Sequence, residues 1–313
     1  MKTTAVVLEQ PEHLVLSQLA LSDPGDQDVV VDIEWSGIST GTEKLLWSGR
    51  MPMFPGMGYP LVPGYESVGR VVEAGVHAGL DIGDRVFVPG ANCFGDVRGL
   101  FGGAAARVVL PGARTIQFNE KLGEQGVLLA LAATAYHAHS TAGVQQPDLI
   151  VGHGVLGRLL ARLNVAAGCT DTVVWERDAQ RAQGAEGYTV LHPDEDKRRN
   201  YRAIYDVSGD ASILDTLIGR LAPGGEIVLA GFYSERVSFS FAPAFMREAQ
   251  IRAAAEWQRP DLLAVKALIE DGVLSLDGLI THREEAAHAD SAYRTAFGDV
   301  ACLKMILDWR HSA

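Results

Sequence analysis

The sequence predicts an α/β protein: a barrel-like β module followed by a doubly wound parallel sheet. Three observations predict it. The first third holds β-branched or alternating segments divided by turn signals at short intervals, as in a small barrel. From about Glu120 onward, short apolar strands alternate with helical stretches, which implies βαβ units and a parallel sheet. Within that part, residues 149–163 read LIVGHGVLGRLLARL, an apolar strand, a glycine turn and a helix in succession.

Taken in order, segments 4–8, 14–16, 28–35 and 67–74 read as strands, separated by Asp23-Pro24-Gly25-Asp26, Pro63-Gly64 and the run 81–84. Segments 84–88 and 105–110 continue the module, with a glycine-rich loop at 92–103 between them. The stretch 124–141 is rich in alanine and leucine and predicts a bridging helix, ending at Thr141. Strands at 149–151, 172–175, 203–207 and 226–230 then build the parallel sheet, and 214–221 is a helix stopped by Pro223-Gly224-Gly225. Segments 251–255 and 262–271 add a strand and a helix, and 280–283 and 302–307 are strands again. The chain end is therefore expected to rejoin the first module, giving segments 1–119, 120–272 and 273–313.

At 313 residues the chain suggests about two domains, since single cores rarely grow past ~250 residues. A formal net charge of −12 argues against nucleic acid, whose phosphates require basic patches. The one dense basic run, Lys197-Arg198-Arg199, adjoins Asp194, Glu195 and Asp196 and reads as solvated surface. No signal pattern precedes the first strand and no apolar run nears the ~20 residues of a membrane span, so a cytoplasmic protein is expected, with surface association at a membrane left open. Cys93, Cys169 and Cys302 are isolated and read as reduced thiols rather than a disulfide or zinc framework.

In the glycine turn, Gly152 permits a tight turn, Gly154 lets the backbone approach a pyrophosphate, and Gly157 lets helix pack on strand. Free N–H groups and the positive dipole end at Val155 and Leu156 suit that phosphate. His153, the first variable position, could add a donor, secondary to the backbone amides. Glu176 lies 19 residues beyond Gly157, near the ~20 expected of the carboxylate that accepts from the adenosine ribose. A carboxylate there favours NAD over NADP; the adjacent Arg177 works the other way, as a possible phosphate partner.

Several motifs occur in order: Ser36 to Glu43 (SGISTGTE), Pro63-Gly64-Tyr65-Glu66 with Val68-Gly69, Gly83-Asp84-Arg85-Val86, Ala132 to Tyr136, the glycine turn, and Leu221 to Val228. With them the whole chain resembles the medium-chain dehydrogenase/reductase superfamily. That resemblance implies a GroES-like β-barrel catalytic domain joined to a Rossmann domain. The wording of the Pro-Gly-Tyr-Glu and Gly-His-Gly-Val-Leu-Gly motifs, with the 92–103 loop, is similar to the superfamily's bacteriochlorophyll-pathway branch. The resemblance implies oxidation of a 3-(1-hydroxyethyl) group to 3-acetyl on a bacteriochlorophyllide-type macrocycle, with NAD. It also implies that Thr134 contacts the nicotinamide side, that Ser208 and Gly231 line the cofactor cleft, and that Lys304 reaches the pyrophosphate. Segment 251–255 matches the sheet-edge strand through which relatives pair, so a homodimer is possible.

Zinc alcohol dehydrogenases of this superfamily ligate the metal through a cysteine in the first motif, a histidine in Gly-His-Glu, and a later cysteine or acid. The matching positions here are Ser39, Tyr65 and Ala130, so no catalytic zinc is expected. Without a Lewis acid, side chains must hold the alcohol oxygen and relay its proton. Tyr65 is either that donor or an aromatic filling the emptied metal site. Ser39 and Thr42 either orient the hydroxyl or satisfy local backbone, and Glu66 buttresses the motif. His137 shares a helix face with Thr134 and is either the base or an ordinary helix histidine. The apolar run Met51 to Tyr59 is a mouth for a macrocycle or a face buried against the other domain. Two other readings stay open: an NADPH-dependent zinc-less quinone or enone reductase, and a catalytically dead dinucleotide binder.

Overall fold

The computed structural model describes residues 1–140, 143 and 145–312. Thr141, the end of the predicted bridging helix, and the last residue of segment 273–313 lie outside the described residues. The chain divides into two compact units, Met1–Ala130 with Leu279–Ala313, and Leu131–Gly278. Among the described residues no helix is long and apolar enough to cross a membrane.

The first unit opens with an antiparallel pair, β1 (Lys2–Gln10) and β2 (His13–Ala20). Next comes β3 (Asp28–Ile38), in which Val29, Val30 and Val31 are all fully buried. That unbroken apolar run fits a strand with neighbours on several sides, since β3 pairs with both β5 (Ser67–Ala74) and β8 (Arg107–Pro111). Between them lie α1 (Thr42–Trp47), β4 (Leu61–Val62), β6 (Arg85–Val88) and β7 (Arg98–Gly99), and β9 (Ile116–Gln117) follows. The predicted 92–103 loop is irregular apart from β7, which pairs with β4.

The predicted bridging helix is two elements. Glu120–Leu128 is a 3-10 stretch interrupted at Gly123 (φ 51°), and α2 (Leu129–Ser140) follows it. The 3-10 stretch packs on β3, β5 and β6, which is why the boundary of the first unit falls later than the change in sequence texture at 119/120.

The second unit is a six-stranded all-parallel sheet of β10 (Leu149–Val151), β11 (Val173–Trp175), β12 (Thr189–Leu191), β13 (Tyr201–Asp206), β14 (Leu221–Leu229) and β15 (Gln250–Ala253). Its spatial order, β12-β11-β10-β13-β14-β15, is the 3-2-1-4-5-6 order of a dinucleotide-binding fold. The crossovers use α3 (Val155–Ala166), α4 (Leu214–Ile218) and α5 (Phe241–Met246), and α6 (Arg259–Glu270) follows β15. Pro223-Gly224-Gly225 does not stop a helix. It lies inside β14 as a bulge, where the register slips between Tyr201↔Leu221 and Ala203↔Glu226. The crossover from β11 to β12 departs from the alternating pattern: residues 176–188 are irregular apart from a turn at 179–182 and carry no helix.

The chain then returns to the first unit through β16 (His282–Glu285), α7 (Ala289–Gly298) and β17 (Met305–Asp308), with β17 antiparallel to β3.

Candidate active site

In the second unit, the carboxyl ends of β10, β11 and β13 surround a cavity of about 230 Å³ lined by Gly152, Glu176, Arg177 and Ser208 among others. Ligands of open α/β sheets sit at such strand ends. Gly152 has φ 104°, which only glycine adopts readily. A Cβ on Gly157 would lie 1.9 Å from the Gly152 carbonyl oxygen, so helix and strand approach this closely only with glycine. A Cβ on Gly154 would meet nothing within 4 Å. Gly154 is the N-cap of α3 and no side chain among the described residues caps that end, which leaves the first-turn amides at Val155 and Leu156 for an anion. A dinucleotide pyrophosphate fits this cradle.

Glu176 follows β11 with both carboxylate oxygens held by backbone. Oε1 accepts from the amides of Arg177 (2.8 Å) and Asp178 (3.0 Å), and Oε2 from the His153 amide (3.3 Å). Arg177 is exposed. Ser208 follows β13, where its amide donates to Asp206 Oδ1 (2.9 Å), and a Cβ on Gly231 would meet Val207 Cα at 3.3 Å. Asp206 is buried, and its carboxyl is held above the usual range by that burial while Tyr233 donates to it at 2.7 Å.

The His153 side chain is not a phosphate donor, a correction to the expectation from sequence. The ring is fully buried; Nδ1 donates to the Arg181 carbonyl (2.7 Å) and Nε2 accepts from Tyr188 Oη (2.8 Å). Burial, and then the charge of Arg158, push its pKa down to about 4, which keeps it neutral. On α2, Thr134 and His137 are both partly exposed, and His137 Nδ1 lies 2.8 Å from Asp261 Oδ2. Asp261 also caps α6 by accepting from the Gln258 amide (2.7 Å).

In the first unit, Tyr65, Ser39 and Thr42 meet. Tyr65 Oη lies 2.7 Å from Ser39 Oγ and 3.4 Å from Thr42 Oγ1. Burial, and then the charge of Glu66, push the Tyr65 phenol up, so it stays protonated at neutral pH. The partly exposed Phe101 ring stands edge-on to Tyr65, with centroids 5.6 Å apart. In the apolar run, Met53 is 82% exposed and Phe54 is exposed, while Met51 is buried.

Beneath the hydroxyl cluster lies a set of buried charges. Glu66 is fully buried; its Oε2 takes Lys304 Nζ at 2.6 Å, whereas its Oε1 has no hydrogen-bond partner among the described residues. A Cβ on Gly37 would lie 2.5 Å from that Oε2, so the glycine of Ser36-Gly37-Ile38 makes room for the carboxylate. Lys304 also donates to the Ile38 carbonyl (3.1 Å) and is 1% exposed. It is therefore neither an exposed lysine nor an available pyrophosphate ligand: its charge is committed to Glu66. Glu43, fully buried, accepts from Tyr293 Oη (2.6 Å) and the Ser39 amide (3.0 Å). Burial raises its pKa to about 7 against those two hydrogen bonds.

Sequence reasoning missed Glu43, Tyr293, Arg158 and Tyr188. Glu43 stands within the SGISTGTE motif, where an acid beside small hydroxyl residues was the available signal. Tyr293 lies 250 residues from its partner and gave none.

Comparison with known proteins agrees with this architecture. Residues 25–120 match the alcohol dehydrogenase GroES-like domain. The 2-desacetyl-2-hydroxyethyl bacteriochlorophyllide A dehydrogenase of Cereibacter sphaeroides is 58% identical, covering 100% of both chains. The enzyme of that name from Rhodobacter capsulatus is also 58% identical, over 99% of each. Among solved structures, 2R,3R-butanediol dehydrogenase from Bacillus subtilis superimposes with a TM-score of 0.84 at 20% identity, covering 98% of this chain and 99% of that one. The chain belongs to the medium-chain dehydrogenase/reductase superfamily, in the family of the bacteriochlorophyllide dehydrogenases.

Proposed function

We propose that the protein oxidises the hydroxyethyl group of a bacteriochlorophyllide to an acetyl group, with NAD and without catalytic zinc. The observation that carries the substrate is 58% identity over the full length to two dehydrogenases named for that compound. NAD, when bound, supplies the hydride acceptor. The amides of the 152–157 turn and of the start of α3 bind its pyrophosphate, and Glu176 accepts from the adenosine ribose hydroxyls and repels a 2′-phosphate. Arg177, exposed beside Glu176, is free to follow solvent or the ribose edge. Thr134, Ser208 and Gly231 line the remaining cofactor surface.

The donor set Ser39, Tyr65 and Ala130 does not fit a zinc ion, which needs thiolate, imidazole or carboxylate ligands. The two hydroxyls bond each other and the third position is a buried methyl. In our reading Tyr65, kept protonated, donates to the alcohol oxygen, while Ser39 and Thr42 fix the phenol's orientation. A phenol held protonated is a donor and relay rather than a resting base. His137, whose ring is oriented by Asp261, is the base this reading assigns. Glu66 and Lys304 hold the motif from below. Phe101 and the exposed residues of the Met51 to Tyr59 run present apolar surface suited to a planar macrocycle.

We also propose that two copies pair through the outer edge of β15, the last strand of its sheet. Beside it, Phe239, Phe241 and Phe245 are exposed around a cavity of about 350 Å³, and Met246 is exposed as well. An unpaired strand edge flanked by such a patch is what a second copy would cover. Light scattering after gel filtration should give twice the 33.6 kDa chain mass; a monomer at micromolar concentration would refute pairing.

The activity test is NADH formation from the hydroxyethyl bacteriochlorophyllide before and after chelation. Equal rates support the reading. Loss of activity restored by zinc would refute the metal-free mechanism, and no turnover with saturating NAD would leave a dinucleotide binder.

A further inference from the structure

The crossover from β11 to β12, residues 176–188, lacks the helix that normally satisfies its backbone; Glu176 and Asp178 take several of its amides, and one side chain takes its carbonyls. Arg158, in the first turn of α3, is 7% exposed. Its Nε donates to the His153 carbonyl (3.1 Å), Nη1 to Gly184 O (3.4 Å), and Nη2 to both Arg181 O and Gln183 O (2.8 Å each). Among the described residues all four acceptors are main-chain carbonyls and none is a carboxylate. Burying a guanidinium without an acid is costly. What it secures is geometry, because the planar fork can hold several carbonyls at once.

Those contacts lead to Glu176 in a short chain. Arg181 O takes both Arg158 Nη2 and His153 Nδ1. The Arg181 and Gln180 amides both donate to Asp178 Oδ1 (2.9 Å each), which closes the turn on Asp178. The Asp178 and Arg177 amides then donate to Glu176 Oε1. The His153 amide, on the glycine turn that Arg158 also grips, reaches Glu176 Oε2.

We propose that Arg158 is a positioning residue for cofactor choice: it ties the helix-less 177–184 turn to the glycine turn and so fixes the Glu176 carboxylate that separates NAD from NADP. The proposal rests on the reading of Glu176 as the ribose carboxylate. Arg158 does not touch the cofactor; it acts through the turn. A lysine in its place could hold one or two of the four carbonyls, and a methionine none.

The test measures the dissociation constants of NADH and NADPH by fluorescence on the full chain, for wild type, Arg158→Lys, Arg158→Met, Glu176→Gln and the Arg158→Met/Glu176→Gln double variant. Expected is a roughly tenfold or larger fall in the NADPH-to-NADH ratio of dissociation constants in Arg158→Met, a smaller fall in Arg158→Lys, and little further change in the double variant. A merely structural arginine would weaken both cofactors equally and leave the ratio unchanged, and that result overturns the proposal. If Glu176→Gln moves the ratio while neither Arg158 variant does, the proposal fails and the Glu176 reading stands. If Glu176→Gln leaves the ratio unmoved, both fail. Should Arg158→Met not fold, Arg158→Lys decides by the same ratio.

Discussion

Replacing Glu43 with glutamine isolates a buried acid whose proton affinity the fold raises into the neutral range. Its carboxyl moves from an ordinary 4.5 to about 7 because burial disfavours the anion more than Tyr293 and Ser39 stabilise it. Between those two pH values the folded protein keeps a proton that the unfolded chain has released. The stabilisation from this group is therefore complete below about pH 4.5 and is lost as pH rises through 7. At ~1.4 kcal/mol for each tenfold change in proton affinity, the loss amounts to about 3 kcal/mol. Glutamine keeps one oxygen for the Ser39 amide, turns its amide N–H to the Tyr293 oxygen in place of the second carboxylate oxygen, and never ionises. Urea unfolding of both proteins at pH 5 and pH 8 should show the variant gaining about 2–3 kcal/mol on the wild type at the higher pH. A wild-type-to-variant difference that is the same at both pH values would refute the reasoning.

Other expectations follow from the same geometry. Lys304→Met leaves the Glu66 carboxylate buried and unpaired and should cost about 3–5 kcal/mol in unfolding free energy; adding Glu66→Gln should recover much of it, and no recovery would mean that the pair is not the cause. Gly157→Ala forces a Cβ against the Gly152 carbonyl and should lower stability by about 1–3 kcal/mol while abolishing NADH fluorescence enhancement. Tyr65→Phe should lower kcat about a hundredfold with little change in KM, the pattern of a lost proton donor. Phe101→Ala should raise KM for the macrocycle several-fold with kcat nearly kept, and an unchanged KM would remove the ring from the substrate surface.

What could be read from the sequence divides by how local its cause is. The glycine turn and β5 were legible because adjacent residues specify them: a φ of 104° at Gly152, and the β-branched Val68, Val71 and Val72 within Ser67–Ala74. Ser39, Thr42 and Tyr65 came from two separate motifs, and the structure brings their hydroxyls within hydrogen-bond reach. The Pro223-Gly224-Gly225 run was misread as a helix stop because the same residues make a strand bulge, and only the register against β13 tells the two apart. The helix α7 escaped notice because its buried positions are mostly alanine, a weak periodic signal. Lys304 looked like a surface or phosphate-binding lysine since nothing near position 304 reveals a carboxylate 238 residues away. Buried ion pairs formed across such a separation are products of topology, and no window of sequence contains them.

The return of β17 to β3 has a consequence for synthesis. The whole of the parallel sheet is translated between those two strands, so the dinucleotide-binding unit can close on the ribosome while β3 still has a bare edge. Glu66 must likewise wait for Lys304, and until then its carboxylate is solvated or protonated rather than paired. The order of maturation is thus dinucleotide-binding unit first and barrel unit second. A nascent chain stalled before β17 would carry a complete dinucleotide-binding unit and an unpaired Glu66, and would be exposed to strand-edge association until its last strand arrived.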